Sequence, residues 1–229
     1  MKVTWLGQAG LLFEWEDCTL LVDPYLSDSV EKIQPNHYRR VPVDTRLWEL
    51  RPDVLICTHN HLDHTDPETL AHYLQREEPV TVLAPRSSWN EVRKFGGVHN
   101  YVQFNRHTQW TQQRQRGELR FEAVRAEHSD PDAIGVVVYD GAHRYYITGD
   151  TLYNREIFDD LPAPIDLLFL PINGVGNNMN LQDAQRFALM AGAREVIPIH
   201  FGMFDQLDPR GQVPDNWVVP EIYREIPLE

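Results

Sequence analysis

The stretch Thr58 to Asp66, T-H-N-H-L-D-H-T-D, constrains this chain more than any other. Four potential metal ligands, His59, His61, Asp63 and His64, crowd together directly after the apolar run Val54-Leu55-Ile56-Cys57, which reads as a buried strand. Burying three imidazoles and a carboxylate without a metal or dense hydrogen bonding is costly, so the cluster points to a metal site. His59 and His61, two apart, point the same way from an extended segment. Asp63 and His64 come round as the chain turns into the helix that Pro67-Glu68-Thr69-Leu70 predicts. Two ions can therefore be held side by side. Imidazole and carboxylate suit zinc, manganese or iron, whereas calcium and magnesium call for oxygen-rich cages.

Further candidates lie at the ends of other apolar runs. Leu119 to Ala126 alternates apolar and polar like a half-buried strand and delivers His128. Ile134 to Tyr139 and Arg144 to Thr148 predict a hairpin across Asp140-Gly141-Ala142-His143, with His143 at an exposed turn where no function is expected. The second strand ends in Thr148-Gly149-Asp150-Thr151, where Gly149 leaves room for close approach and the two oxygens of Asp150 can bridge two cations. Glu195 to Ile199 ends in His200. Asp23-Pro24 follows the strand Thr19 to Val22; Asp23 either hydrogen-bonds a ligating histidine or simply starts a turn, and the residues leave both open.

The remaining elements follow from local pattern. Val3 to Leu6, Leu11 to Trp15 and Thr19 to Val22 predict a β-meander around Gly7-Gln8-Ala9-Gly10. Leu26 to Asp44 reads as a long loop at a pocket rim, with Arg39 or Arg40 meeting an anionic group of the substrate, or with both simply solvated. Pro67 to Arg76 predicts a helix, Val80 to Ala84 a strand, Ser88-x-x-Glu91 a capping box opening a short helix, and Val98 to Phe104 a strand. Arg106 to Gly117 reads as a solvated connection. Asp166 to Leu170 predicts a strand leading into the Gly/Asn-rich loop Pro171 to Asn180. Asn173 and Asn178 of that loop are candidate substrate contacts, although such residues equally serve turns. Asn180 caps a helix to Ala191.

With no linker or repeat in view, one domain spanning 1-229 is expected. A net charge of -13 argues against nucleic acid as a partner, since phosphate backbones need a basic surface. No apolar run is long enough to span a membrane and no signal-peptide core opens the chain, so a cytoplasmic protein with no membrane association is expected. Cys18 and Cys57 are too few for a disulfide framework, and Cys57 reads as a small core residue.

Five histidines and two aspartates in the order H-x-H-x-D-H, His, Asp, His resemble the metallo-β-lactamase superfamily along essentially the whole chain. The segments G-Q-A-G, D-P-Y-L-S, T-H-N-H-L-D-H, H-S-D-P-D-A-I-G, T-G-D-T, L-P-I-N-G and P-I-H-F-G-M-F look like the branch of the bacterial L-ascorbate-6-phosphate lactonases (UlaG-like). The resemblance implies an α/β fold, the αββα sandwich of two mixed β-sheets flanked by helices. It implies two divalent metal ions, Mn or Zn, one on His59, His61 and His128 and the other on Asp63, His64 and His200, with Asp150 bridging. The activity implied is metal-dependent hydrolysis of a small lactone or ester, with or without a phosphate, by water activated between the ions. Asp63 orients that water, and Asp150 serves with it as a catalytic carboxylate. A phosphodiesterase or phospholipase-D-like hydrolase is the alternative within enzymes, and a metal-stabilised binding protein without turnover the alternative outside them. Homo-oligomerisation is a further expectation from the resemblance.

Overall fold

The structure, a computed structural model, describes residues 1–228. Two six-stranded mixed β-sheets face one another, and each is built in the same way: an antiparallel meander first, parallel strands after it. The first sheet runs β1 (Lys2–Gly7), β2 (Gly10–Trp15) and β3 (Cys18–Val22) antiparallel. It then adds β4 (Val54–Ile56), β5 (Thr81–Ala84) and β6 (Asn100–Gln103) in parallel. The second sheet runs β7 (Gln109–Arg114), β8 (Gly117–Arg125), β9 (Ile134–Tyr139) and β10 (Arg144–Ile147) antiparallel, followed by β11 (Leu167–Pro171) and β12 (Glu195–Ile199) in parallel.

The two-residue period of a strand divides the apolar residues between two cores. Val3, Trp5, Leu20, Val22, Val54, Ile56 and Leu83 point inward and meet Phe121, Val136, Val138, Tyr145 and Phe169 of the facing sheet. Phe13 makes the crossing concrete, its ring centroid lying 5.5 Å from that of Phe169 in an edge-on contact. The alternate residues Leu6, Leu21, Leu55, Cys57, Val82 and Ala84 point outward and are covered by α2 (Pro67–Leu74) and α3 (Arg86–Val92) through Leu70, Tyr73, Leu74 and Val92. On the opposite flank α4 (Leu181–Ala191) buries Ala184, Phe187 and Ala188 against the second sheet. This is the αββα sandwich the resemblance implies.

Local chemistry sets the helix ends. The Asp66 carboxylate accepts from Glu68 N and Thr69 N with Pro67 in the first turn, and Asn180 accepts from Asp183 N at the start of α4. Three expectations change. The stretch Leu26 to Asp44 contains a short helix, α1 (Ser29–Ile33). Arg106 to Gly117 contains β7, an edge strand whose residues are at most half-buried, so its glutamines and arginine disguise it as loop. Ser88 is not a helix cap: α3 begins at Arg86, and Ser88 is buried within it, its hydroxyl accepting from Thr65 Oγ1 at 3.0 Å.

What matters for function is that strand ends from both sheets meet along one edge. Asp23 follows β3, Thr58 and His59 follow β4, Asp150 follows β10, Asn173 follows β11 and His200 follows β12, while His128 sits in the connection after β8 and Gln8 in the turn between β1 and β2. The sheets are tied there by a backbone hydrogen bond from Ile134 N to Thr58 O, 2.9–3.0 Å being usual for such bonds and this one measuring 3.0 Å.

Candidate metal centre

The structure brings together all seven expected ligands, in two adjoining groups. In the first, His61 Nδ1 stands 3.0 Å from His59 Nε2 and 3.1 Å from His128 Nε2. Metal–nitrogen bonds of about 2.0–2.2 Å place neighbouring ligand atoms about 3.0–3.4 Å apart, so this spacing is that of one coordination shell. The far side of each ring is engaged in a way that leaves the converging nitrogen its lone pair. His128 Nδ1 donates to Asn177 O at 3.1 Å, His59 Nδ1 lies 3.1 Å from Thr58 Oγ1, and His61 Nε2 lies 3.4 Å from Ser129 Oγ.

In the second group, Asp63 Oδ2 lies 3.4 Å from His200 Nε2 and 3.9 Å from His64 Nε2. Asp150 Oδ2 lies 3.3 Å from His200 Nε2 and 3.4 Å from His64 Nε2, and His59, His64 and Asp150 also converge. Asp150 thus adjoins His59 of the first group as well as His64 and His200 of the second. His64 Nε2, His200 Nε2 and Asp150 Oδ1 are buried with no hydrogen-bonding partner among the described residues. Buried polar atoms without partners are rare, and three on adjoining side chains fit divalent cations.

The electrostatics agree. Burial opposes a charge on His200, yet the Asp150 and Asp63 carboxylates outweigh it and push the imidazole up to about 10. His64 is likewise driven up against burial by Asp150, Asp23 and Asp63. Asp150 is held well below the usual carboxylate range in spite of burial, because His200 and His64 face it. His59, surrounded by other imidazoles and fully buried, is pushed down by burial first and by His64 next. One half of the site therefore demands positive charge and the other offers neutral lone pairs, the combination a pair of cations satisfies.

Residues beyond the ligands hold this arrangement. Asp23, fully buried, accepts from Thr58 N at 2.7 Å, Thr58 Oγ1 at 2.6 Å and His64 Nδ1 at 2.8 Å. Of its two readings the structure realises the hydrogen bond to a ligand-type histidine. Gln8, 2% exposed, donates from Nε2 to Asp63 Oδ2 at 3.0 Å, while its backbone carbonyl accepts from His200 N at 2.8 Å and Trp5 Nε1 at 2.8 Å. Gln8, Asp23 and His200 all adopt left-handed backbone, with φ of +47°, +43° and +59°. Such strain costs about 1–3 kcal/mol per residue and persists where the surroundings over-determine it, typically at functional sites.

Of the four expected substrate contacts, Asn173 and Asn178 line the cleft and the two arginines do not. Asn178 is buried, Nδ2 donating to Asp150 Oδ2 at 2.8 Å and Oδ1 accepting from Thr151 N at 3.0 Å, so it positions Asp150. Asn173 Nδ2 lies 3.1 Å from His200 Nδ1, and its Oδ1 has no partner among the described residues. Arg39 is drawn away from the cleft, donating to Tyr25 O at 2.6 Å and Tyr223 Oη at 2.5 Å, and so pins the α1 segment to the C-terminal tail. The Arg40 guanidinium stacks 4.9 Å over the Tyr38 ring and does not line the cleft either. Gln8 and Thr58 were missed from sequence, although Gln8 sits in a strand-edge turn like those that carry the ligands.

Comparison with known proteins agrees with this geometry. The model of the beta-lactamase superfamily domain matches residues 19–201. A metal-dependent hydrolase of Ligilactobacillus salivarius is 28% identical, across 96% of this chain and 94% of its own. Among solved structures, Igni18, a metallo hydrolase from the hyperthermophilic archaeon Ignicoccus hospitalis, superposes with a TM-score of 0.73 at 17% identity, covering 98% of this chain and 97% of its own. An isothiocyanate hydrolase from Delia radicum gut bacteria superposes with a TM-score of 0.75 at 17% identity, covering 100% and 99%. At those identities the two structures establish a common fold.

Proposed function

Since the chain belongs to the beta-lactamase superfamily and is a metal-dependent hydrolase, we propose that it works with two divalent cations on a small ester or lactone. His59, His61 and His128 would hold one cation, Asp63, His64 and His200 the other, with Asp150 between them. Five imidazoles and two carboxylates suit zinc or manganese. Such cations supply Lewis acidity and bring the pKa of water down to about 7.

The chain's own residues do the rest. Asp63, the more open of the two carboxylates at 18% side-chain exposure against 6% for Asp150, orients the attacking water and takes up its proton. Gln8 fixes Asp63 by one oxygen, and Asn178 fixes Asp150 in the same way. No thiol competes as nucleophile, because Cys57 points into the helix-covered core, where burial raises its pKa far out of reach.

The observation that carries this reading is the convergence of seven ligand-type side chains with unpartnered buried atoms facing one another. The test is metal content and hydrolysis together. Wild-type protein loaded with manganese or zinc is expected to retain two equivalents after desalting and to hydrolyse simple esters or lactones. His61→Ala is expected to retain about one equivalent and to lose at least about a hundredfold in kcat/KM. Retention of no metal by the wild type, or equal turnover in both proteins, would overturn it.

A further inference from the structure

We infer that the cleft over the metal centre selects an uncharged ester or lactone with an apolar acyl tail, a reading that rests on the hydrolase assignment of the same site. A cavity of about 530 Å³ opens above His61, Asp63, Asp150 and His200. Part of its lining is apolar, Val30 and Ile33 from α1, Leu62, Val175 and Phe204, while Gln34, His37 and the asparagines of the loop after β11 make the rest polar. Ile33 and Val175 are 71% and 63% exposed, so two large aliphatic side chains at the mouth of a polar site face water with nothing over them among the described residues. Isolated exposed aliphatic residues are ordinary, but two at the rim of one cleft, continuous with a metal centre, are placed where a substrate's tail would cover them.

Charge decides the other half. Among the described residues no lysine or arginine lines this cavity; besides the ligand carboxylates its only acid is Asp205, whose Oδ1 accepts from Gly202 N at 2.7 Å and Leu207 N at 2.9 Å. The arginines nearest in sequence to α1 are engaged elsewhere, Arg39 on Tyr25 and Tyr223 and Arg40 on Tyr38. A phosphate or carboxylate on the far end of a substrate would therefore meet aliphatic side chains, Asp205, His37 and uncharged amides such as Gln34, and would lose hydration without gaining a lysine or arginine. An uncharged tail meets no such penalty. In the reaction, the water oxygen bonds to the acyl carbon and the acyl–oxygen bond breaks; one proton of the water ends on the leaving alcohol and the other passes to solvent as the product acid ionises.

Two parallel series test this on metal-loaded protein: turnover of p-nitrophenyl esters from acetate to octanoate, and calorimetric binding of the matching alkyl hydroxamic acids, each with ω-carboxylate analogues. The wild type is expected to gain about threefold to fourfold per methylene in both kcat/KM and hydroxamate affinity until the cavity is filled. The ω-carboxylate compounds are expected to lose at least about tenfold. Ile33→Asp and Val175→Asp are expected to flatten both series while metal content and melting temperature hold. Flat series in the wild type, or a preference for the ω-carboxylate compounds, would overturn the inference. Hydroxamate affinity that climbs with length while no ester is cleaved would support the cleft's selectivity and overturn the ester reading of the proposed function. Turnover without length dependence would do the reverse.

Discussion

Asp23 shows how much one side chain can carry: a fully buried carboxylate holds the backbone and hydroxyl of Thr58 and the Nδ1 proton of His64. Asp23→Asn keeps the shape but loses the charge that fixes the His64 tautomer. It is expected to weaken binding of the second cation about 10–100-fold, measured by chelator competition, and an unchanged affinity would refute the positioning role. At this scale the side chains that converge were legible, because four of them fall within six residues and the others lie at or just beyond the ends of recognisable apolar runs. The residues that orient them were not. Gln8 gains its meaning from Asp63, 55 positions away, and no local pattern encodes that. Arg39 misled for the same reason, since a polar side chain in a loop does not announce its partner. Asn173 and Asn178 do line the cleft, yet their bonds to His200 and Asp150 were equally invisible in the sequence.

The connection after β10 turns on Gly149. Its φ is +61°, and a Cβ built there would lie 2.8 Å from Ile134 O and 3.0 Å from Thr58 Cβ and Oγ1. Backbone and a clamped threonine cannot yield as a flexible side chain would, so Gly149→Ala must displace the strand end that delivers Asp150. The expected cost is about 2–4 kcal/mol of stability by denaturant unfolding, with retention of the second metal equivalent impaired; a variant of wild-type stability would contradict the packing described. Among the elements, buried strands and capped helices were readable, because apolar alternation and the Asp66 and Asn180 caps are local signals. β7 was hidden by the polar composition an edge strand tolerates, and the Ser88-x-x-Glu91 pattern was defeated by burial of Ser88 against Thr65.

On the scale of the whole molecule, the converging side chains come from both sheets: His59, His61, Asp63 and His64 from the first, His128, Asp150 and His200 from the second. Cations held there would brace one sheet against the other, and stripping them with a chelator is expected to lower the melting temperature by at least about 10 °C. The gap should depend on pH. In metal-free protein His200, raised to about 10, contributes stability that is full below its unfolded value and is lost as pH climbs through about 10. The metal-bound form needs that imidazole deprotonated, so it does not share the loss. The difference in melting temperature between loaded and stripped protein is thus expected to widen from neutral to alkaline pH, and calorimetry showing it constant or narrowing would contradict the ion pairing described. The same division of ligands has a consequence during synthesis. His200 follows β12, so a growing chain on the ribosome displays T-H-N-H-L-D-H, and later His128, long before it can complete the second group. Until most of the chain has emerged, Asp63 and His64 would be only a weak partial chelator, and firm capture of a cation there would be one of the last steps in the protein's maturation.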